Sequence, residues 1–525
     1  MVHSTEVYGA LIEFPHHLHH LPFEGDAPHA KRQQGLLVVC GAMFISAVDM
    51  TIVNVALPDI SEDLNAGIGE LQWVLDAFLV ALAGLLLLGS GLADRFGRKR
   101  VFLAGMAGFG VASCLCAIAP YPVALIGARA LMGAAAACVL PPALSLIAVM
   151  FPPEERPQAL GVWAAVAGLG LVLGPLLGGV LVKEVGWQAV FLVNVPVAIL
   201  VVPAGRAVLP ESTRPGTPPI DLVGVVLSIL ALGGVVFALI EGPDTGWSSP
   251  GVIASGVIGV CAGVGFVRAE LRRREPLFDV RALARPVVAA GAGAILSVYI
   301  AFLGSIFLLP QYLQYVQGRS VLEAGLLLTP LGVGAAVGAR YNARVFAAVG
   351  ARLVLSVGLV LLAASTALFM FLGADSGVAL VLIGTGLIGA LIAFVVAPAT
   401  AVIMNDLGEA KAGDGGAINQ LARQVGGALG VAIIGTVFAA VYTDQIDAKL
   451  ARLTAARRER ASESIEEAQD VARAVGRPLR ELVLTRSEDA FDLAARTGFG
   501  VCVGVLLLAA VAAALALPSG APGDA

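Results

Sequence analysis

From about residue 35 onward the chain alternates long apolar stretches with short polar ones. The apolar stretches run to about 20 residues or more, the length a helix needs to cross a hydrocarbon layer roughly 30 Å thick. About fourteen such runs are predicted, near 35–57, 71–92, 101–119, 122–148, 158–182, 189–208, 221–241, 251–269, 287–309, 323–346, 351–372, 377–404, 414–441 and 496–517. Each is expected to be a helix, because a backbone in lipid must satisfy its own hydrogen bonds. Residues 1–34 are polar and carry His16, His17, His19 and His20; they read as a tail rather than a metal site. Residues 442–495 form a polar insert before the final span, with a helical pattern that Gly476 and Pro478 break into a hairpin.

Loop charge sets the orientation. Arg95, Arg98, Lys99 and Arg100 crowd the loop 93–100, and Arg272, Arg273, Arg274, Arg281 and Arg285 the loop 270–286. The loop 58–70 has Asp59, Glu62, Asp63 and Glu70 and neither lysine nor arginine. Positive loops stay in the cytoplasm. The expectation is a multi-pass protein of the cell (plasma or inner) membrane with both termini cytoplasmic. The insert 442–495 then lies outside, its arginines (Arg457, Arg458 and Arg460 among them) offset by Glu463, Glu466, Glu467 and Asp470.

Composition narrows the class. The chain of 525 residues is 58% hydrophobic and 14% charged, against roughly 25% charged in soluble domains; its mean hydropathy is +0.88. This excludes an ordinary soluble enzyme. A net charge of −5 excludes nucleic acid as a partner. The six cysteines all lie in apolar runs and form no CxxC, which suggests neither a disulfide framework nor a zinc site. All six histidines precede residue 30, so the apolar body has none for metal, haem or general-base work. No metal, cofactor or enzymatic activity is expected. With no Walker motif, ATP is not read as the energy source.

Between the second and third runs stands Gly91-Leu92-Ala93-Asp94-Arg95-Phe96-Gly97-Arg98-Lys99-Arg100. Its glycines permit a tight turn and its basic residues hold the loop in the cytosol. The segment resembles the signature G-x-L-a-D-r-x-G-r-k/r of the major facilitator superfamily. That resemblance implies a conformational brace of Gly91, Asp94, Arg95, Gly97 and Arg98 between two halves, with its partner at the start of the 414–441 helix. A plainer reading leaves the charges to set topology alone.

A second signature lies in the fifth run: Gly161, Gly170, Gly174, Pro175, Gly178 and Gly179. Gly170, Gly174 and Gly178 recur every four residues and so share one helix face, where small residues let helices approach closely. Pro175 removes a backbone donor and can kink the helix. The set is similar to the superfamily's antiporter motif, which implies export rather than import; close packing alone is the plainer reading. The first run ends Asp49-Met50-Thr51-Ile52-Val53-Asn54-Val55-Ala56-Leu57-Pro58. This resembles the D-x-T-I-V-N-V-A-L-P signature of the fourteen-span drug:proton antiporters of the EmrB/QacA type. Trp73, Trp187, Phe191, Asn194, Pro196, Glu241-Gly242-Pro243 and Gly415–Gly430 fit the same pattern.

Charge inside the membrane is where mechanism is sought, since it costs at least ~2.5–3.5 kcal/mol at mid-bilayer. Counting about 1.5 Å per residue, Asp49, Asp76 and Arg129 fall in one layer in the outer half. They are the candidates for proton coupling or substrate charge, with Arg129 tuning Asp49. A static Asp49–Arg129 bridge is the alternative. Arg129 also matches a fourth-helix signature R-x-x-x-G through Gly133, although Met132 and Ala135 replace the family's glutamine and glycine. Polar candidates for a central cavity are Asn54, Gln311, Gln314, Asn419 and Arg423.

The fold expected is all-α: a polytopic major facilitator fold of two six-helix bundles, 35–208 and 287–517, with two extra helices inserted in 209–286. Polar tails at 1–34 and 518–525 flank them. The function expected is proton-coupled efflux of small lipophilic compounds, drugs or antibiotics, by alternating access. The alternative is a proton-coupled metabolite importer of the same fold. The partners are then protons, a lipophilic substrate and the lipid bilayer; the sequence names no adaptor or outer-membrane partner.

Overall fold

A computed structural model describes residues 29–152, 155–213, 221–273, 280–408, 412–450 and 453–518. The histidine cluster of the tail lies outside the described residues. Fourteen helices are long and apolar enough to cross a membrane, and among the described residues there is no strand.

The first half comprises α1 (His29–Leu64), α2 (Ile68–Phe96), α3 (Arg98–Ala117), α4 (Pro122–Ala137), α5 (Leu140–Met150), α6 (Arg156–Glu184), α7 (Ala189–Leu192) and α8 (Asn194–Val208). The helices α4 and α5 form one span. It breaks at Cys138 and Val139 because Pro141 and Pro142 lack the N–H groups that would continue the ladder. The inserted pair is α9 (Leu222–Thr245) and α10 (Pro250–Arg272). The second half comprises α11 (Pro286–Tyr315), α12 (Val321–Leu328), α13 (Pro330–Ala367), α14 (Val378–Leu407), α15 (Ala412–Lys449), α16 (Ala455–Glu463), α17 (Ile465–Arg473) and α18 (Leu479–Ala516). α13 holds parts of two spans, which turn over at Gly350 with φ +81°.

The insert 442–495 is helical and breaks between Arg473 and Leu479, around Gly476 and Pro478; its outer arms are continuous with α15 and α18. Only α16 and α17 stand apart. They fold onto the bundle through buried Ala461, Ile465, Ala468 and Val471, beside an aromatic cluster in which Phe438 lies 4.8 Å from Phe491. Tyr312 also donates to Asp492 at 2.8 Å.

Glycines set the closest helix approaches. Gly133 of α4 lies against the Phe78 carbonyl of α2, and Gly89 of α2 against the Ala137 carbonyl; a Cβ at either would collide with backbone. Among the described residues, the close contacts that join the two halves gather away from the Asp94 loop. At that far end Gly179 of α6 meets Leu322 of α12, and Gly325 meets the Pro175 carbonyl. Gln314 of α11 donates to the Val55 carbonyl of α1 at 3.2 Å. Gln72 of α2 lies against Gly435 of α15, and deeper in, Leu79 lies near Gly427. At the near end the ion pairs Arg32–Glu155 and Arg285–Asp406 each stay within one half.

α9 flanks this seam from outside. It follows α2 through Ser228 to the Gly84 carbonyl (3.0 Å) and Trp73 to Glu241 (3.1 Å). It also touches α15, where Thr436 donates to the Leu239 carbonyl at 2.7 Å. α10 packs on α9 through the glycine pair Gly234 and Gly259, and leaves Ile253, Val257, Val260 and Val264 exposed, as suits a face in hydrocarbon.

Candidate transport site

The deepest charges meet where α1, α3, α4 and α8 converge. Arg129 and Asp49 are almost fully buried, at 2% and 1% exposure. One Nη of Arg129 lies 2.6 Å from Asp49 Oδ2. Its Nε donates to the Val74 carbonyl of α2 at 2.9 Å. Its guanidinium lies over the Phe78 ring at 4.5 Å and near that of Phe191 at 5.8 Å. The other carboxylate oxygen of Asp49 accepts from Asn194 Nδ2 at 3.4 Å. Asn194 donates also to Ser113 (2.9 Å), and Ser113 donates to the Phe191 carbonyl (2.7 Å). A buried ion pair stands only with such supporting bonds, because desolvation of both charges works against it.

Asp76 is at the same depth but not in this cluster. Val74, whose carbonyl Arg129 holds, and Asp76 are two residues apart, so they point roughly 200° apart around α2. Asp76 is fully buried, and neither carboxylate oxygen has a hydrogen-bond partner among the described residues. Gln72, one turn away on the same strip, is in the same condition. With Gln72 against Gly435 and Leu79 against Gly427, the strip faces α15. The expected layer of three charges therefore divides into a bonded pair and a solitary carboxyl.

Arg129 also lines a narrow cleft between the halves, of about 10 Å³ in this state, with Met50, Asn54, Leu75, Phe78 and Leu79 on one side and Leu303 and Val431 on the other. Asn54 donates to its own helix, to the Met50 carbonyl at 3.2 Å, and Gln311 likewise to the Phe307 carbonyl at 2.6 Å. Gln314 bridges the halves as described. Asn419 and Arg423 belong to a separate group with Thr400 and Tyr299.

The glycine face of α6 packs against α1 at the level of Asp49. Gly170 lies against the Phe44 carbonyl and Ala47, Gly174 against Thr51 and the Val48 carbonyl, and Gly178 against Ile52. Gly161 is in the same helix, a few turns earlier. Pro175 and Gly179 point the other way, to α12 of the opposite half.

In the Asp94 loop, Arg98 pairs with Asp94 at 3.1 Å. Gly97 has φ +109°, a conformation that favours glycine. The Arg95 guanidinium lies 5.7 Å from the Phe96 ring, and Gly91 faces open space. The loop is tied to the stretch after α8: Glu211 accepts from the Lys99 N–H (3.2 Å) and pairs with Arg100 (3.3 Å). The expected partner at the start of the 414–441 helix falls on side chains outside the described residues. Gly415, just beyond, packs on Met404 and Ile403 of its own half.

Sequence reasoning did not assign Ser113, Phe78, Gln72, Thr400 or Glu211 to any site. It noted Asn194 only as part of a motif.

A family model described as Major Facilitator Superfamily matches residues 39–431. The chain belongs to the major facilitator superfamily. Among the relatives of this major facilitator is the tetracenomycin C resistance and export protein of Streptomyces glaucescens, 35% identical over 438 residues, covering 83% of this chain and 81% of that one. The multidrug efflux pump LfrA of Mycolicibacterium smegmatis is 32% identical over 479 residues, covering 91% and 94%. In fold, this major facilitator is similar to the inward-facing, occupied crystal structure of a bacterial homolog of the human lysosomal transporter Spinster. The TM-score is 0.65 at 18% identity, over 94% of this chain and 97% of that one.

Proposed function

We propose that this protein exports small lipophilic compounds of the antibiotic and drug class across the cell membrane, in exchange for protons. The observation that carries the reading is the double membership of Arg129: it holds Asp49, and it forms part of the cleft wall between the halves. A proton on Asp49 removes the charge that Arg129 balances. The guanidinium, still held by the Val74 carbonyl and the Phe78 ring, is then left without its counter-charge at the cleft wall, so proton occupancy and the charge facing the substrate path change together. The relatives' names, a tetracenomycin export protein and a multidrug efflux pump, favour export of such compounds.

The basic Asp94 loop supports placing the near end and both termini in the cytoplasm. The far-end contacts between Gly179 and Leu322, and between Gln314 and Val55, then close the outer side. On this reading the state is one closed on the outer side, and rocking of the halves about the cleft exchanges access.

The test is transport into everted vesicles from an efflux-deficient host, under an imposed gradient with the lumen acid. Drug accumulation in the lumen that an uncoupler abolishes is the expected result. Depletion from the lumen would indicate the metabolite-importer alternative, and movement unaffected by the uncoupler would overturn proton coupling.

A further inference from the structure

Arg423 is a second intramembrane guanidinium, and its surroundings are unlike those of Arg129. It stands on α15 about 16 Å from the start of that helix, within the span Gly415–Lys449. Its Nε donates to Asn419 Oδ1 at 2.8 Å, and its guanidinium lies 5.5 Å from the centre of the Tyr299 ring. Asn419 in turn donates to Thr400 of α14. Three helices of one half thus fix its direction. Yet among the described residues no carboxylate lies within ion-pair distance, and its two Nη nitrogens have no described partner. Arg129, by contrast, has a carboxylate, a carbonyl and two rings around it.

A cation in a membrane span needs an anion, water or a function. Arg423 is half-buried rather than enclosed. Its Nε is already used to orient it, so the Nη fork is left pointing away in a fixed plane. A planar fork of N–H donors held in advance is a receptor for an oxyanion such as a carboxylate or sulfonate, two oxygens of which it binds through parallel hydrogen bonds. The site lies beside the cleft without forming its wall. Tyr299 lies one turn along α11 from Leu303, a cleft residue, and Leu303 also packs on Gly427 of α15. Val431, another cleft residue, is about 12 Å along α15 from Arg423. A ligand reaching from the cleft to Arg423 would run along Leu303 and Tyr299, which suits an aromatic or apolar body with an acid at one end.

We propose that Arg423, oriented by Asn419 and Tyr299, binds the ionised acid of an aromatic export substrate, so that organic anions are among the compounds carried. This rests on reading the cleft as the drug path.

Two probes that share one ring system test it: 1-anilinonaphthalene-8-sulfonate and its uncharged parent, N-phenyl-1-naphthylamine. Binding of each to the full chain in lipid nanodiscs is measured above that of empty nanodiscs. Arg423→Gln is expected to weaken the sulfonate by about tenfold or more, the size of a lost charge-assisted hydrogen bond, and to leave the parent within about twofold. Arg423→Lys should recover part of the loss, since it restores charge but not the fork. Unchanged binding of the sulfonate, or equal weakening of both probes by an Arg423→Gln variant that melts like wild type, overturns the proposal; if Arg423→Gln melts early, Arg423→Lys is judged in its place, and its binding the sulfonate as wild type does, or both probes equally weakly, overturns it. The parent compound in acid-lumen everted vesicles tests the other layer. If it is not moved while the sulfonate still depends on Arg423 for binding, the export reading fails and the anion site stands.

Discussion

The Arg129 guanidinium and the Asp49 carboxylate meet at 2.6 Å, with 2% and 0% of their side chains exposed. Removing one partner of such a pair strands the other charge in a dry site, at a cost of about 3–5 kcal/mol. Removing both can be nearly neutral. Asp49→Asn and Arg129→Met are therefore expected to lower thermal stability separately, and the double variant to recover most of it. If the pair couples protons, the stable double variant will show no gradient-driven export. A static brace predicts the opposite: export returns with stability.

Asp76 should behave differently. Its carboxyl is buried without a described partner, and burying a polar group unpaired is unfavourable. Asp76→Leu is expected to leave the melting temperature unchanged or to raise it, whereas gradient-driven export falls at least about tenfold if the carboxyl cycles a proton. Melting and vesicle transport on the same preparation check both halves of the statement. A destabilised protein would show that Asp76 has a structural partner.

How far the sequence reaches is clear from these two acids. Residue counting places Asp49, Asp76 and Arg129 at one depth, and the contacts of Val74 and Arg129 agree. Depth is a single coordinate, however. The direction in which Asp76 points depends on which helices flank α2, and α15 is more than 300 residues away in the chain. The fourteen spans and the glycine face of α6 were legible because lipid imposes length and close packing imposes a repeat. Ser113 and Asn194 were not legible as site residues: each is a lone small polar group in an apolar run, with no period to mark it. That the insert's arms continue the membrane helices was not legible for another reason. Polar residues end a membrane span but do not end a helix, so α15 and α18 run on beyond the bilayer.

At the far end, Gly179 has the Leu322 backbone within 2.9 Å of where its Cβ would stand. Gly179→Leu should wedge α6 from α12 and favour the state open at that end. In a background without native cysteines, Gln314→Cys is then expected to react several-fold faster with a membrane-impermeant maleimide when Gly179→Leu is present. Equal rates would place the closure elsewhere.

The inserted pair carries a pH-dependent contact. Asp221 caps α9 by accepting from the Gly224 N–H at 2.9 Å, and it pairs with Arg273 at the end of α10. Burial works to raise its pKa, but the hydrogen bonds from Arg273 and Gly224 and the charge of Arg273 outweigh it and hold the carboxyl below its ordinary value. A depressed carboxyl contributes stability that is complete above its unfolded pKa, about 3.9, and is lost as pH falls through the lower folded value. Asp221→Asn keeps a capping side chain but loses the charge. The melting temperatures of wild type and variant should differ by a constant amount from pH 7 to about 5 and converge below about pH 4.

α9 packs along α2 and also along α15, where Thr436 donates to the Leu239 carbonyl. The flank where α2 meets α15 is thus screened from the acyl chains, whereas no described helix covers the flank where α6 meets α12 and α13. On the export reading, a lipophilic substrate that enters from the leaflet would do so on the α6 flank rather than the α2 flank. Photoreactive lipid-like probes should accordingly label α6 in preference to α2, and any rocking of the halves has to slide at least one of them along α9.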